Sequence, residues 1–285
     1  MIKSFFIIML FFCFSSSAQE KGLSIADKII SISGKKLEIN ADGFPKQIQS
    51  FYDWEFNKFG FNPTNLLYEP MHFHLYITPK TQEKLVVNTF NLLSESKDSI
   101  AWEATSYSSS ISQHIKAKID GNGLISYDIK LKALKDISFS NINFHIPFEK
   151  NSAKYLVGLE NKGYLRPDTV RWAWKTANVS NPEVLIGNDN IALYLSLDQH
   201  KNPENLHIKN GWCNDDNGRI QINVKGSSML MEFSTGSVTI KAGEELAFDF
   251  NLLMLPIDKK DGRKDLQKRF KVYYQMVAEY KKSRR

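Results

Sequence analysis

The chain has 285 residues, 42% of them hydrophobic and 24% charged, a balance that excludes a disordered or polytopic membrane protein. That length can bury a core as one large all-β domain or two modest ones without disulfide staples. A formal net charge of +6 would suit nucleic acid, but the excess is gathered late, in Lys259-Lys260, Arg263-Lys264 and Lys281-Lys282-Ser283-Arg284-Arg285, and reads as a solvated tail.

At the N-terminus Lys3 gives a positive n-region, Phe5 to Phe14 form an apolar h-region, and Ser16-Ser17-Ala18 offer small residues for cleavage. The pattern predicts a secretory signal peptide over 1–18, too short to span a bilayer. Cys13 follows Phe12, where lipoprotein processing needs a small residue, so a lipid anchor is not expected. Cleavage removes Lys3 and no acid, so +6 becomes +5, and it leaves Cys213 as the single cysteine. An internal disulfide is then impossible, and Cys213 beside Trp212 reads as a small buried hydrophobe. The expected location is secreted, periplasmic or cell-surface, with no nucleic-acid partner and no membrane span.

From Ile25 onward the recurring signal is alternation with period two. The aromatic cluster Phe51, Tyr52, Trp54, Phe56, Phe59 and Phe61 reads as a loop folded onto the sheets. Further on, Ile111, Ile115, Ala117 and Ile119 alternate with Ser112, His114, Lys116 and Lys118. Ile125, Tyr127, Ile129, Leu131 and Ala133 alternate with Ser126, Asp128, Lys130 and Lys132, and Ile220, Ile222 and Val224 with Gln221 and Asn223. Strands of this kind bury one face and wet the other, as antiparallel sheets do. Turn chemistry falls between them at Ala41-Asp42-Gly43, Asp120-Gly121-Asn122-Gly123, Asn214-Asp215-Asp216-Asn217-Gly218 and Ala242-Gly243, with Gly121 and Gly123 supplying the positive φ of a tight hairpin. The pattern breaks at the C-terminus, where Leu266, Phe270, Tyr273, Val277 and Tyr280 recur at helical spacing among Lys and Arg. The fold class expected is therefore all-β: an antiparallel β-sandwich over 19–258, closed by a basic amphipathic helix over 259–285.

Few residues carry chemistry on their face. Trp172 and Trp174 are two apart, so on a strand they share a side; with Arg171, Arg166 and Trp212 they could form an aromatic platform for sugar rings, or simply pack in the core. His72 and His74 put two imidazoles on one strand face, a pair that holds zinc only if a third ligand arrives from elsewhere. No metal and no cofactor are expected. Glu160, Glu183, Asp189, Asp215 and Asp216 are the acidic candidates for glycoside chemistry, yet none sits in a motif, and turns carry Asp for backbone reasons. Asn214-Asp215-Asp216-Asn217-Gly218 lacks the Ca²⁺ loop pattern. Asn178-Val179-Ser180 matches a glycosylation acceptor.

Three patches together resemble the N-terminal β-sandwich of the glycoside hydrolase family 123-like proteins. One runs from Ile30-Ser31-Ile32 through Gly43-Phe44-Pro45-Lys46-Gln47-Ile48 to Asn65-Leu66-Leu67-Tyr68-Glu69-Pro70. The second, over 141–197, joins Ile146-Pro147, the Trp172-Ala173-Trp174 pair and the Leu185-Ile186-Gly187-Asn188 turn; the third is Phe248 to Pro256. The resemblance implies a protein of glycan breakdown whose relatives join the sandwich to a (β/α)8 barrel that hydrolyses β-linked N-acetylgalactosaminides. Nothing after the closing strand reads as repeated βα units, so no catalytic residue carries over. The function this implies is an exported non-catalytic module, structural or glycan-contacting, whose partner is a glycan or a separate glycoside-hydrolase barrel. Two alternatives stand beside it: a β-sandwich hydrolase or lyase with an unrecognised carboxylate site, and a periplasmic scaffold that docks a partner through its C-terminal helix.

Overall fold

The computed structural model describes residues 22–52, 59–176, 183–197 and 208–256, together with the single positions Gln275, Glu279 and Lys282, which are exposed. The signal-peptide segment, Asn178 to Ser180, and the rest of the C-terminal helix expectation lie outside the described residues.

In chain order the strands are β1 (Ser24–Ala26), β2 (Ile29–Ile32), β3 (Lys35–Ile39), β4 (Pro45–Tyr52), β5 (Phe59–Asn65), β6 (His72–Thr78), β7 (Thr81–Glu83) and β8 (Val86–Glu95). They continue with β9 (Ser99–Tyr107), β10 (Ile111–Asp120), β11 (Leu124–Ala133), β12 (Ile137–Phe139), β13 (Asn141–Glu149), β14 (Tyr155–Gly158), β15 (Asn161–Leu165) and β16 (Thr169–Ala173). The last are β17 (Glu183–Gly187), β18 (Ala192–Leu197), β19 (Ile208–Asn210), β20 (Arg219–Lys225), β21 (Ser228–Ser234), β22 (Val238–Ile240), β23 (Glu245–Ala247) and β24 (Phe250–Leu255).

Two large sheets form the body. One is six-stranded, β16-β20-β21-β13-β6-β7; the other is eleven-stranded along β15-β14-β17-β18-β24-β11-β10-β9-β8, with β23 and β19 added beside β11. β1 to β5 make a separate meander, and β12 pairs with β22. The pairings are antiparallel except β19 with β23, so the all-β antiparallel expectation is met.

The alternating runs translate directly into register. Ile115 sits opposite Ile129, Ala117 opposite Tyr127 and Ile119 opposite Ile125, all buried, while Lys116 and Lys118 face away. Phe144 of β13 packs on Phe250 of β24 with ring centroids 5.2 Å apart, and Phe73 of β6 meets Phe248 edge-on at 5.2 Å. These contacts join the two large sheets through one core cluster. Each such aromatic contributes about 2–3 kcal/mol through burial, and offset or edge-on rings add a little more.

Two expectations need correction. Phe51 and Tyr52 belong to β4, and Phe59 and Phe61 to β5, so these aromatics lie on paired strands and only 53–58 falls between them; Phe61 stands fully exposed. In the Asp120 turn, Gly123 has φ +89° but Gly121 is not left-handed, because the Asp120 carboxylate accepts from the Asn122 and Leu124 amides and shapes the turn itself.

Candidate functional site

β6 carries Phe73 and Leu75 on its core side, which sets His72 and His74 on the other. On β13 the same alternation puts Phe144 and Ile146 into the core and Asn143 and His145 on the opposite face. The register places His145 across from His72 and Asn143 across from His74. β21 then brings Glu232 opposite His145 and Ser234 opposite Asn143. Three adjacent strands thus assemble a polar patch on the side of the sheet turned from the core.

The patch is tied together. His145 Nε2–H donates to Glu232 Oε2 at 2.8 Å, and Asn143 Nδ2–H donates to the same oxygen at 2.9 Å. His72 Nδ1–H donates to the Pro70 carbonyl at 2.8 Å, and His74 Nδ1 lies 3.3 Å from the Tyr76 hydroxyl. The three imidazoles face one another, with centroids 4.6 Å apart for His72–His74, 4.6 Å for His74–His145 and 5.1 Å for His72–His145. One ring nitrogen from each lies within 4.8 Å of the other two.

This crowding governs protonation. Burial, then repulsion from His145 and His72, lowers His74 to about 4. Burial lowers His72 as well, only partly offset by its bond to Pro70. Both are therefore neutral imidazoles near pH 7. The hydrogen bond from His145 holds the Glu232 carboxyl below its ordinary value, so it is a carboxylate. Asp42 moves the other way, raised by burial although its carboxylate accepts from the Phe44 amide at 3.1 Å.

A cleft of about 260 Å³ adjoins the patch, lined among others by Asp42, His72, His74, Ser106 and Gln113. That size lies just below the usual range for ligand sites, which begins at about 300 Å³. Ser106 and Gln113 are opposite each other on β9 and β10, both buried, in rows otherwise filled by Ile, Trp and Ala. Among the described residues the Gln113 Nε2 amide has no hydrogen-bond partner. A buried donor left without an acceptor costs roughly 1–3 kcal/mol.

The residues expected to form a sugar platform are not assembled on an accessible surface. β16 ends at Ala173, so Trp174 sits in a 3-10 turn instead of sharing a strand face with Trp172. Both indoles are buried and meet edge-on at 4.8 Å and 74°, which is core packing and leaves no coplanar surface. Trp212 is 3% exposed; its Nε1–H donates to the Asp249 carbonyl, and its ring packs among Phe73, Phe144, Phe233, Phe248 and Phe250. The Arg166 guanidinium is occupied by the Ala153 and Pro167 carbonyls and Asp168. Arg171 differs. Its register runs through Gln221 to Glu232, two strand spacings or about 10 Å away on the same face as the histidines.

The acidic candidates lie on other elements: Glu160, Asp215 and Asp216 in left-handed turns, Glu183 at the start of β17, Asp189 in the turn before β18. Cys213 is half-buried, with its thiol directed to Asp216 Oδ1 at 3.3 Å.

A family model described as glycoside hydrolase 123, third domain, matches residues 23–256. The chain belongs to this family. The resemblance of the three patches thus holds across nearly all of the described strands, and the family's own description numbers the domain third, where the patches pointed to the opening sandwich. Among the described residues of this glycoside hydrolase 123 domain there is no (β/α)8 barrel. No curated protein matches the chain in sequence. Among solved structures it is similar to a galactose mutarotase related enzyme from Lactobacillus acidophilus, at 9% identity and a TM-score of 0.46, covering 85% of this chain and 100% of that one. It is also similar to a putative aldose 1-epimerase from Escherichia coli K12, at 10% identity and a TM-score of 0.44 over 82% and 99% of the two chains. A putative mutarotase from Salmonella typhimurium aligns at 7% identity and a TM-score of 0.44 over 79% and 89%.

Proposed function

We propose that this glycoside hydrolase 123 domain is an exported, glycan-contacting module, and that it contacts sugar through the cleft beside His72 and His74, not through its tryptophans. Gln113 carries the reading. A buried amide donor without a partner among the described residues, on a side chain that lines a cleft together with Asp42, Ser106 and two imidazoles, suits a ligand dense in hydroxyl oxygens. Membership of a glycoside-hydrolase family supports carbohydrate as the ligand class. Export is read from Lys3, the apolar run Phe5 to Phe14 and the small residues at Ser16-Ser17-Ala18. A glycoside-hydrolase barrel is the partner this reading calls for.

The test is retention of the purified chain on mucin or glycosaminoglycan resin, with Gln113→Leu beside the wild type. The expected result is retention that the substitution weakens at least tenfold while the circular dichroism spectrum is unchanged. Equal retention of a folded variant, or none by the wild type, overturns the cleft reading.

A second reading, that of an enzyme, is favoured by one observation. Asp42, near His72, is raised and Glu232, bonded to His145, is lowered, and carboxyl groups pushed in opposite directions are the pattern of an acid and a base. Release of a chromophore from N-acetylhexosaminides by the wild type, abolished in Glu232→Gln, is what this reading expects. A wild type that releases none removes it.

A further inference from the structure

We propose that His72, His74 and His145 form a binding site for a divalent transition metal of the zinc class. The argument begins with which nitrogens are committed. A backbone carbonyl only accepts, so the bond from His72 Nδ1 to Pro70 O fixes the proton on Nδ1 and leaves Nε2 with its lone pair. Glu232 is a carboxylate and likewise only accepts, so the bond from His145 Nε2 fixes that proton and leaves Nδ1 as the donor of electrons. Two rings on different strands are thus each held in a single tautomer by a partner behind them, and the third, His74, has the Tyr76 hydroxyl at its Nδ1.

That arrangement is the one metal-bound imidazoles use. Each ring offers one nitrogen to the ion while a carboxylate, carbonyl or hydroxyl on its other nitrogen sets its orientation and basicity. One nitrogen from each of the three rings lies within 4.8 Å of the other two. Around a tetrahedral zinc they would stand about 3.4 Å apart, so the rings close by roughly an ångström on the ion. His72 and His74 are half-buried beside the cleft, which gives an ion its way in. Three imidazoles satisfy three of four positions and leave one open to water or a ligand oxygen, the composition of a catalytic rather than a structural zinc site. Soft and borderline ions such as Zn²⁺, Co²⁺ and Ni²⁺ suit an all-nitrogen set; Ca²⁺ and Mg²⁺ do not.

The inference does not rest on carbohydrate binding, because an ion can bind with no sugar present. The experiment uses the full chain carrying no polyhistidine tag, stripped with EDTA and dialysed, then titrated with ZnCl₂ by calorimetry and with CoCl₂ by visible absorption. One equivalent should bind, and Co²⁺ should give the strong d–d bands of a tetrahedral site. His74→Ala and His145→Ala should each weaken binding at least 100-fold. Glu232→Gln should keep the stoichiometry but weaken binding 10- to 100-fold, the usual effect of removing an outer carboxylate. Circular dichroism monitors folding, and if His145→Ala fails to fold, the half-exposed His74 carries the test through His74→Asn. Less than half an equivalent bound by the folded wild type overturns the site. So does an affinity unchanged in the folded His74 variant. Repeating the resin retention in EDTA separates the two ideas: retention without metal leaves the glycan reading standing when the metal site has failed.

Discussion

His145 and Glu232 stand directly opposite each other on neighbouring antiparallel strands and share a 2.8 Å hydrogen bond, although 87 residues separate them in the chain. Glu232 Oε2 also accepts from Asn143, and the Ser234 hydroxyl donates to Oε1. One carboxylate therefore satisfies donors from two strands in a half-buried place. Replacing it by Ala strands those donors, which should cost about 1–3 kcal/mol in urea denaturation. Gln keeps an acceptor oxygen and should cost less than Ala. Equal losses for the two variants would show that the carboxylate's hydrogen bonds contribute nothing to stability.

Burial of His74, with the neighbouring imidazoles adding to it, predicts how the metal-free protein responds to acid. His74 is about 4 in the folded protein and near 6.5 when unfolded. Between those values the unfolded chain binds the proton and the folded chain does not, so stability falls as pH drops. The contribution is fully present above about pH 6.5 and is exhausted near pH 4. In EDTA, the urea midpoint of the wild type should decline across that window, and His74→Gln should decline less steeply. Parallel curves for the two proteins would contradict the depressed value.

How much of this was legible in the sequence depends on whether a residue's partner was local. The rows Ile111 to Ile119 and Ile125 to Ala133 announced both their strands and their buried face, because period-two patterning needs no knowledge of the neighbour. Gln113 was legible too, as the polar residue in an apolar inward row, a signal passed over because the row was read for its hydrophobes. His72 and His74 could be set on one face from spacing alone. Their third companion could not, because nothing local says that β6 pairs with β13 at the register that puts His72 across from His145. Spacing alone left open whether Trp172 and Trp174 form a platform or pack in the core, because nothing local says that the strand stops one residue short of the second.

Burial of that pair makes it a stability element. Trp172 packs beside Ile220 on the neighbouring strand and Trp174 lies edge-on against it, both nearly inaccessible. Truncating a large core aromatic typically costs about 3–5 kcal/mol. Trp172→Ala should thus lower the unfolding free energy by about that amount, while Arg171→Ala, exposed on the other face of the same strand, should change it by less than about 0.5 kcal/mol. A Trp172→Ala protein as stable as the wild type would mean the indole is not part of the core.

Gly43 tests how the cleft is held in place. It follows Asp42, has φ +90°, and its carbonyl accepts the Trp102 indole N–H at 2.9 Å, locking the β3–β4 turn onto β9. A Cβ there would stand 3.0 Å from the Ala104 Cβ and 3.5 Å from Ile115 Cγ2. Gly43→Ala therefore combines two penalties: a left-handed backbone that L side chains resist, about 1–3 kcal/mol, and a tight contact against a packed strand. The two can be separated. Ala104→Gly removes the tight contact but not the backbone cost, so the Gly43→Ala, Ala104→Gly double variant should recover only part of the loss, once the cost of Ala104→Gly alone is subtracted in a double-mutant cycle. Full recovery would place the whole cost in the contact. No recovery would place it in the backbone, and Asp42 would then owe its position at the cleft to the turn alone.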